Sequence, residues 1–309
     1  MILNYNKPLP KKEFLQRIYN GEIICFNGFE EINNIIIKSR SLIENLLNSF
    51  HPTIMHNKLE NEELLFTVRD FQKIFRDSKY ISAQIKNFFN ILNFSSNDIF
   101  LDRQYARVVK SRENNFNQNH NDLITDPLSI HRDTWGSNIY SQINWWAPIY
   151  TLNKFNTMSL YTDFWDKSLS NDSRTFNLPS IIQSNKTSLK EGKKKLKTIP
   201  SLNEQLNIES GLKVLINPGS IIAFSGAHVH ASIENNSGLT RFSFETRSVY
   251  LDDFLNSNGA KNIDGNSSWI APGWFKRLSS KERLSDFIGC DSVCKISSFQ
   301  NALKKFNII

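Results

Sequence analysis

The chain has 309 residues, 39% of them hydrophobic and 22% charged, which is enough apolar material for a sizeable core and excludes a disordered chain. A formal net charge of +7 fits either a Lys- and Asn-rich surface or attraction to nucleic acid, anionic lipid or an acidic small molecule. No apolar run approaches the roughly 18 residues needed to span a bilayer. Met1 to Phe14 lacks the apolar centre of a secretory signal, so the expectation is a soluble, cytoplasmic protein without a membrane partner. Cys25, Cys290 and Cys294 give no disulfide framework and lack zinc-knuckle or redox spacing, so they read as ordinary thiols.

The N-terminal residues 1–98 read as a helical flank. Lys11 to Tyr19 is a short helix stopped near Gly21, and Glu22 to Phe26 is an apolar strand candidate. Glu30 to Phe50 places Ile32, Ile36, Leu42, Leu46 and Leu47 at helical spacing. Leu64 to Phe75 and Ile81 to Leu92 continue that pattern.

From Ile99 the period changes. Arg103 to Val109, Ser141 to Tyr150, Lys213 to Ile216, Ser220 to Phe224, Val229 to Ile233 and Thr240 to Val249 read as strands parted by Asn, Gly, Pro and Ser clusters. Short strands with turns between them predict a β-sandwich or barrel over 99–250, with the helices packed outside one sheet. A polar insertion at about 167–209 carries Lys190, Lys193, Lys194, Lys195 and Lys197 and reads as a solvated loop, a short helix or a lid over a pocket. Aromatic residues do not interleave with this basic stretch, which argues against stacking on nucleic acid. Residues 251–309 hold Trp269, Trp274 and Phe275 beside Pro272 and Gly273 and read as an arm folded back on the core of a single 1–309 domain.

Two clusters of potential metal ligands stand out: His131-Arg132-Asp133, and His228-Val229-His230 followed by Arg241. On a strand, residues two apart share a face, so His131 and Asp133 can point at one ion while Arg132 points away. Two imidazoles and a carboxylate suit iron(II) and leave three open positions. The turn signal Asn235-Asn236-Ser237-Gly238 predicts a hairpin in which Ser232 lies opposite Arg241 and His230 opposite Ser243, all on one face. A guanidinium fork one pair from the metal matches a carboxylate bidentately. His228 shares parity with His230 and competes with it as third ligand; the spacing to Arg241 favours His230. Glu245 and Arg247 share the same face, as a structural ion pair or as substrate contacts, and Arg103 and Arg107 form either an exposed basic edge or a site for an anionic substrate. Trp135, Trp145 and Trp146 read as core aromatics, with Trp135 also placed to wall a pocket.

The strings His131-Arg132-Asp133-Thr134-Trp135, Gln142-Ile143-Asn144-Trp145-Trp146 and Pro218 to Gly226 resemble the phytanoyl-CoA dioxygenase-like branch of the 2-oxoglutarate oxygenases. So do His230-Ala231-Ser232, Asn235, Ser237 and Arg241-Phe242-Ser243; the resemblance runs from about Leu101 to Val249. It implies an α+β fold, with a double-stranded β-helix (jelly roll) core flanked by N-terminal helices. It also implies iron(II) on the catalytic residues His131, Asp133 and His230, with 2-oxoglutarate and dioxygen as co-substrates. Arg241 with Ser232 would hold the distal carboxylate of 2-oxoglutarate, with Ser243 on the same wall. Trp145 falls where the family places a residue beside the co-substrate. Family halogenases replace the metal-binding carboxylate by a small residue; Asp133 therefore favours hydroxylation, here of a small molecule that the positive balance makes anionic. The alternative is a non-oxidative, cupin-like ligand-binding protein or a metal-dependent isomerase, which has no need of Arg241 and Ser232 at their spacing from His230.

Overall fold

The structure is a computed structural model that describes residues 1–47, 49–112, 124–190, 199–206 and 210–305. The basic stretch Lys193 to Lys197 lies outside the described residues, as does His120.

The chain enters on a short strand that the sequence reading missed, β1 (Ile2–Tyr5), followed by α1 (Lys11–Tyr19) and β2 (Ile23–Phe26). Three longer helices follow: α2 (Glu30–Leu47), α3 (Asn61–Asp77) and α4 (Lys79–Ile91). Each carries one apolar stripe, for example Leu64, Val68, Phe71 and Phe75 of α3, and buries it. The Ser78 hydroxyl accepts from the Ile81 amide at 3.3 Å and so caps α4.

The strands β3 (Ile99–Leu101), β4 (Tyr105–Val109), β5 (Ile143–Pro148), β6 (Met158–Leu160), β7 (Leu212–Lys213), β8 (Ile221–Ser225), β9 (His230–Ser232) and β10 (Arg241–Tyr250) fall into two sheets. The larger runs in the order β1-β2-β8-β5-β10-β3 and ends on a C-terminal strand, β12 (Lys276–Arg277), with β4 also paired to β10. The smaller has the order β7-β6-β9. Two further elements punctuate the core. One is a single helical turn, α5 (Thr134–Ser137). The other is α6 (Leu178–Lys190), a helix within the polar insertion, where a short helix was one of the expected forms. After β10 come α7 (Leu251–Leu255), β11 (Trp269–Ile270), α8 (Leu284–Ile288), β13 (Cys294–Lys295) and α9 (Ile296–Lys304), with β12 lying between β11 and α8. Phe254, Ile270, Phe275 and Phe299 of this region pack with Phe100 and Val249.

Alternation along the strands sorts the large sheet into two faces. Ile143, Trp145 and Ala147 of β5, Ala223 of β8, and Phe242 and Phe244 of β10 bury against α1 to α4. Trp146 of β5 and Ile222 and Phe224 of β8 bury on the opposite face, against Met158 and Leu160 of the small sheet. The second face also receives Asn144, Arg241, Ser243, Glu245 and Arg247, which have the parity of Trp146 in the β5–β10 ladder or share β10 with it.

The expected hairpin between β9 and β10 does not form. β9 pairs with β6, placing Leu160 opposite His230 and Met158 opposite Ser232, while β10 pairs with β4 and β5. The intervening turn carries the chain from the small sheet to the large one. The Asn235 side chain pins it, donating to Val109 O at 2.9 Å and Leu239 O at 2.7 Å.

Candidate active site

His131, Asp133 and His230 converge so that one ligand atom from each lies within 4.8 Å of the others, all three residues being buried. The backbone brings them together in a way the strand argument did not foresee. His131 and His230 form an isolated antiparallel bridge, with amide–carbonyl distances of 3.0 and 2.9 Å, which sets the two rings side by side. Asp133 is not on a strand: at φ −63° and ψ −32° it opens α5, and this turn swings its carboxylate toward the His131 ring.

Hydrogen bonds fix the tautomers. His131 Nδ1 lies 2.7 Å from Ser129 O, and His230 Nδ1 lies 3.0 Å from His228 O. A carbonyl only accepts, so each Nδ1 carries the proton and each Nε2 presents a lone pair inward. His131 Nε2 is buried without a hydrogen-bond partner, and 3.4 Å away lies Asp133 Oδ1. Two lone-pair donors facing each other repel; a cation between them removes the repulsion.

The other carboxylate oxygen is fully engaged. Asp133 Oδ2 accepts from Asn144 Nδ2 at 2.7 Å, Arg247 Nε at 3.0 Å and Gln142 Nε2 at 3.2 Å. Burial pushes the Asp133 pKa up, but the Arg247 charge outweighs it and holds the carboxyl well below its usual range. Burial and the nearby His131 ring push His230 down to about 3, so it is neutral and able to ligate at neutral pH. Gly226 packs closely beside this group: a Cβ there would stand 3.0 Å from Gln142 Nε2 and press on the amide that holds Asp133. The set of two neutral imidazoles and one carboxylate is of the type that holds iron(II) with open positions for 2-oxoglutarate and dioxygen.

Toward the other end of the same interior face lies Arg241, 2% exposed. Its Nη2 donates to Ser232 Oγ at 3.0 Å and its Nη1 to Thr157 O at 2.7 Å, while its Nε has no partner. Among the described residues no carboxylate lies within ion-pair distance, and burial lowers its pKa to about 9. The expected contact of Arg241 with Ser232 is therefore present, but it spans the gap between the two sheets. Ser243 Oγ, beside it in sequence parity, is likewise buried without a partner. His230, Ser232, Arg241, Arg107, Met158 and Trp146 line a chamber of about 30 Å³ between the triad and Arg241. That is room for one water, so a diacid enters only if flexible walls such as Met158 give way.

Trp145 borders this chamber, but its ring is buried in the core on the helix side of the sheet. Its ring stacks on Phe14 in the helix-side core and its indole N–H donates to Ser248 Oγ at 2.8 Å. The physical reason is parity: Asn144 and Trp146 take the interior face and Trp145 the other. Gln142 and Asn144, by contrast, belong to the site and have no role in the sequence reading, while Arg247, expected as an ion pair or a substrate contact, pairs with Asp133 itself. Polar residues at alternate positions ahead of an otherwise apolar buried strand were the available signal.

His228 is excluded as a ligand: its Nε2 faces Gly21 O at 3.1 Å and its ring packs on Trp165. Arg132 points away from the triad as expected and pairs with Asp264, Nε to Oδ2 at 3.1 Å. Trp135 donates to the same carboxylate at 2.7 Å and is core. Arg107 pairs with Glu245 at 2.8 Å, whereas Arg247 bridges Asp133 and Asp102. The Asp133–Arg247 wall also lines a cleft of about 1060 Å³, together with Tyr105, Leu128 and the exposed Lys281.

Among the described residues no helix is long and apolar enough to cross a membrane. No family model matches the chain, and no curated protein matches it. Among solved structures, it is similar to EvdO2 from Micromonospora carbonacea var. aurantiaca, with 10% identity and a TM-score of 0.36 over 57% of this chain and 61% of that one. It is similar to the nickel complex of the non-heme monooxygenase ThoJ, with 12% identity and a TM-score of 0.41 over 76% of each chain. It is also similar to the epimerase SnoN in complex with Fe3+, alpha ketoglutarate and nogalamycin RO, with 10% identity and a TM-score of 0.41 over 78% of this chain and 83% of that one. At these values the function rests on the site geometry alone.

Proposed function

We propose that this chain is a non-haem iron(II) oxygenase of the jelly-roll, phytanoyl-CoA dioxygenase-like type, which consumes 2-oxoglutarate and dioxygen and hydroxylates a small molecule. The observation that carries the reading is the pair of unmet demands inside one chamber. Three inward lone-pair donors at one end call for a cation, and the buried, carboxylate-free guanidinium of Arg241 at the other end calls for an anion.

His131, Asp133 and His230 would hold the metal. When bound, the metal with its co-substrates supplies the oxidising chemistry, converting 2-oxoglutarate to succinate and carbon dioxide as the substrate is oxidised. The protein's own residues do the rest. Asn144, Gln142 and Arg247 hold Asp133 Oδ2, so that Oδ1 alone is offered to the metal. Arg241 and Ser232 bind and orient the distal carboxylate of the diacid, and Ser243 Oγ adds a hydrogen bond from the same wall. Trp146, Met158 and Phe224 keep water out. The larger cleft takes the substrate; its volume suits a molecule well beyond amino-acid size.

The test is succinate formation from 2-oxoglutarate by the purified chain. The reading expects it to require added iron(II) and to vanish in Asp133→Ala, whose circular dichroism should match the wild type because Arg247 keeps Asp102 as partner. Full turnover in Asp133→Ala would remove the carboxylate from the site.

A further inference from the structure

The cleft's floor and its rim differ in electrostatic balance. Every carboxylate that lines it already faces a guanidinium: Asp133 and Asp102 face Arg247 at 3.0 and 3.1 Å, Glu245 faces Arg107 at 2.8 Å, and Asp126 faces Arg112 at 3.8 Å. The rim cations Lys276, Lys281 and Arg283 also line the cleft, and among the described residues none of them pairs with a carboxylate. They sit on one turn of chain. Lys276 of β12 and Arg283 form an antiparallel bridge, so two like charges stand directly across from each other. That arrangement costs stability unless something compensates it. Lys281 lies between them in sequence, with a left-handed φ of 65°.

The turn is held as a frame, not left loose. Lys276 pairs with Leu101 of β3, Leu278 N donates to Ile99 O at 3.0 Å, and Arg277 N donates to Glu282 O at 2.7 Å. The one acid of the turn, Glu282, is occupied by Arg277 at 2.9 Å, and Arg277 is spent further on the faces of Phe100 and Phe287. Uncompensated positive charge is thus fixed at the edge of the cleft, on the element that borders the way in.

We propose that Lys276, Lys281 and Arg283 anchor a phosphate group of the substrate, leaving the rest of the molecule to extend down the cleft toward the triad. The oxygenase reading supplies only the identity of the anchored molecule as substrate; the anchor itself needs neither metal nor 2-oxoglutarate. Three adjacent cations exceed what one carboxylate satisfies and match a multiply charged, three-oxygen acceptor. Lysine ammonium groups suit phosphate as point charges, and the arginine adds a fork.

The test is titration of the metal-free full chain with inorganic pyrophosphate at low ionic strength, since these charges are exposed and screened by salt. Saturable binding is expected. The combined Lys276→Gln, Lys281→Gln and Arg283→Gln variant should weaken it at least about tenfold. Loss of like-charge repulsion should leave that variant no less stable than the wild type. A control with the same charge change away from the cleft, Lys12→Gln, Lys154→Gln and Lys261→Gln, should move the affinity less than twofold. Equal losses in the two triple variants would reduce the effect to net charge and overturn the anchor. So would citrate binding as tightly as pyrophosphate, or pyrophosphate binding that is lost in Arg241→Met but kept in the rim variant. The rim variant should also retain iron-dependent 2-oxoglutarate binding. If that binding is absent even in the wild type while the pyrophosphate pattern holds, the oxygenase reading fails and the anchor stands.

Discussion

The two faces of the large sheet are built by alternate residues of the same strands, yet they obey opposite economies. On the helix side, Trp145, Phe242 and Phe244 bury against Phe14, Phe71, Phe75 and Phe88, where apolar and aromatic contacts dominate and add stability. On the other side, Asn144, Arg241, Glu245 and Arg247 place charge and amides in a closed interior. There burial is a cost, met partly by pairing and partly left for ligands. One strand such as β10 therefore serves as a stability element and a functional element at once, with a period of two. The helix side can be damaged without touching the chemistry, and the interior can be damaged with little effect on the fold.

The largest expected effect tests the helix side. Trp145→Ala empties a site where the rings of Phe14, Phe26, Phe88 and Phe89 meet and should cost about 3–5 kcal/mol of unfolding free energy. Its metal and 2-oxoglutarate affinities, measured below the unfolding transition, should not change. A fall in those affinities would put Trp145 back beside the co-substrate and blur the division between faces.

Next is Arg247→Met, which removes the cation holding Asp133 Oδ2 and leaves Gln142 and Asn144 to do so alone. Metal affinity should drop about 10- to 100-fold, the usual scale for such orienting partners. Calorimetric titration with a redox-silent divalent ion would show it. An unchanged affinity would mean that the two amides suffice and that Arg247 serves only the ion-pair network with Asp102.

The smallest effect concerns Glu245. Burial pushes its pKa up, but Arg107 and Arg247 prevail and hold it at about 2, below its ordinary 4.5. A depressed folded-state pKa contributes stability above the unfolded value that is lost as pH falls from about 4.5 through about 2. Glu245→Gln should therefore lower the thermal midpoint at neutral pH and converge with the wild type toward pH 2. Parallel curves across that window would contradict the pairing.

Much of this division was legible in the chain. The switch from helical spacing before Leu92 to short strands after Ile99 located the two parts, and the ranges of α1 and β10 match the reading to within a residue. The triad and the contact between Arg241 and Ser232 were legible too, although by a faulty route. A hairpin register was inferred from a turn signal, whereas the Asn235 turn crosses between sheets. Local turn chemistry says that the chain reverses, not which strand it then meets. Asp133 was placed on a strand because nothing in His-Arg-Asp announces that a helical turn begins there. Trp145 is named through the family resemblance, whereas the place of Asn144 on the interior face follows only from the parity fixed by pairing with β8 and β10. The rim cations escaped because Lys276 and Arg283 become neighbours only through a bridge closed by the C-terminal arm.

The central claim is that the interior face is built around a cation at one end and a dicarboxylate at the other. Anaerobic titration of the chain with iron(II) and 2-oxoglutarate, followed by the visible charge-transfer absorption of the chelate, tests it most directly. The account predicts a saturable band in the wild type. In Arg241→Met, 2-oxoglutarate affinity should fall by two orders of magnitude or about 3 kcal/mol, the scale of a charge-assisted bond to a buried group, while thermal stability holds or rises. No band in the wild type, or a band whose 2-oxoglutarate dependence is the same in Arg241→Met, would contradict it.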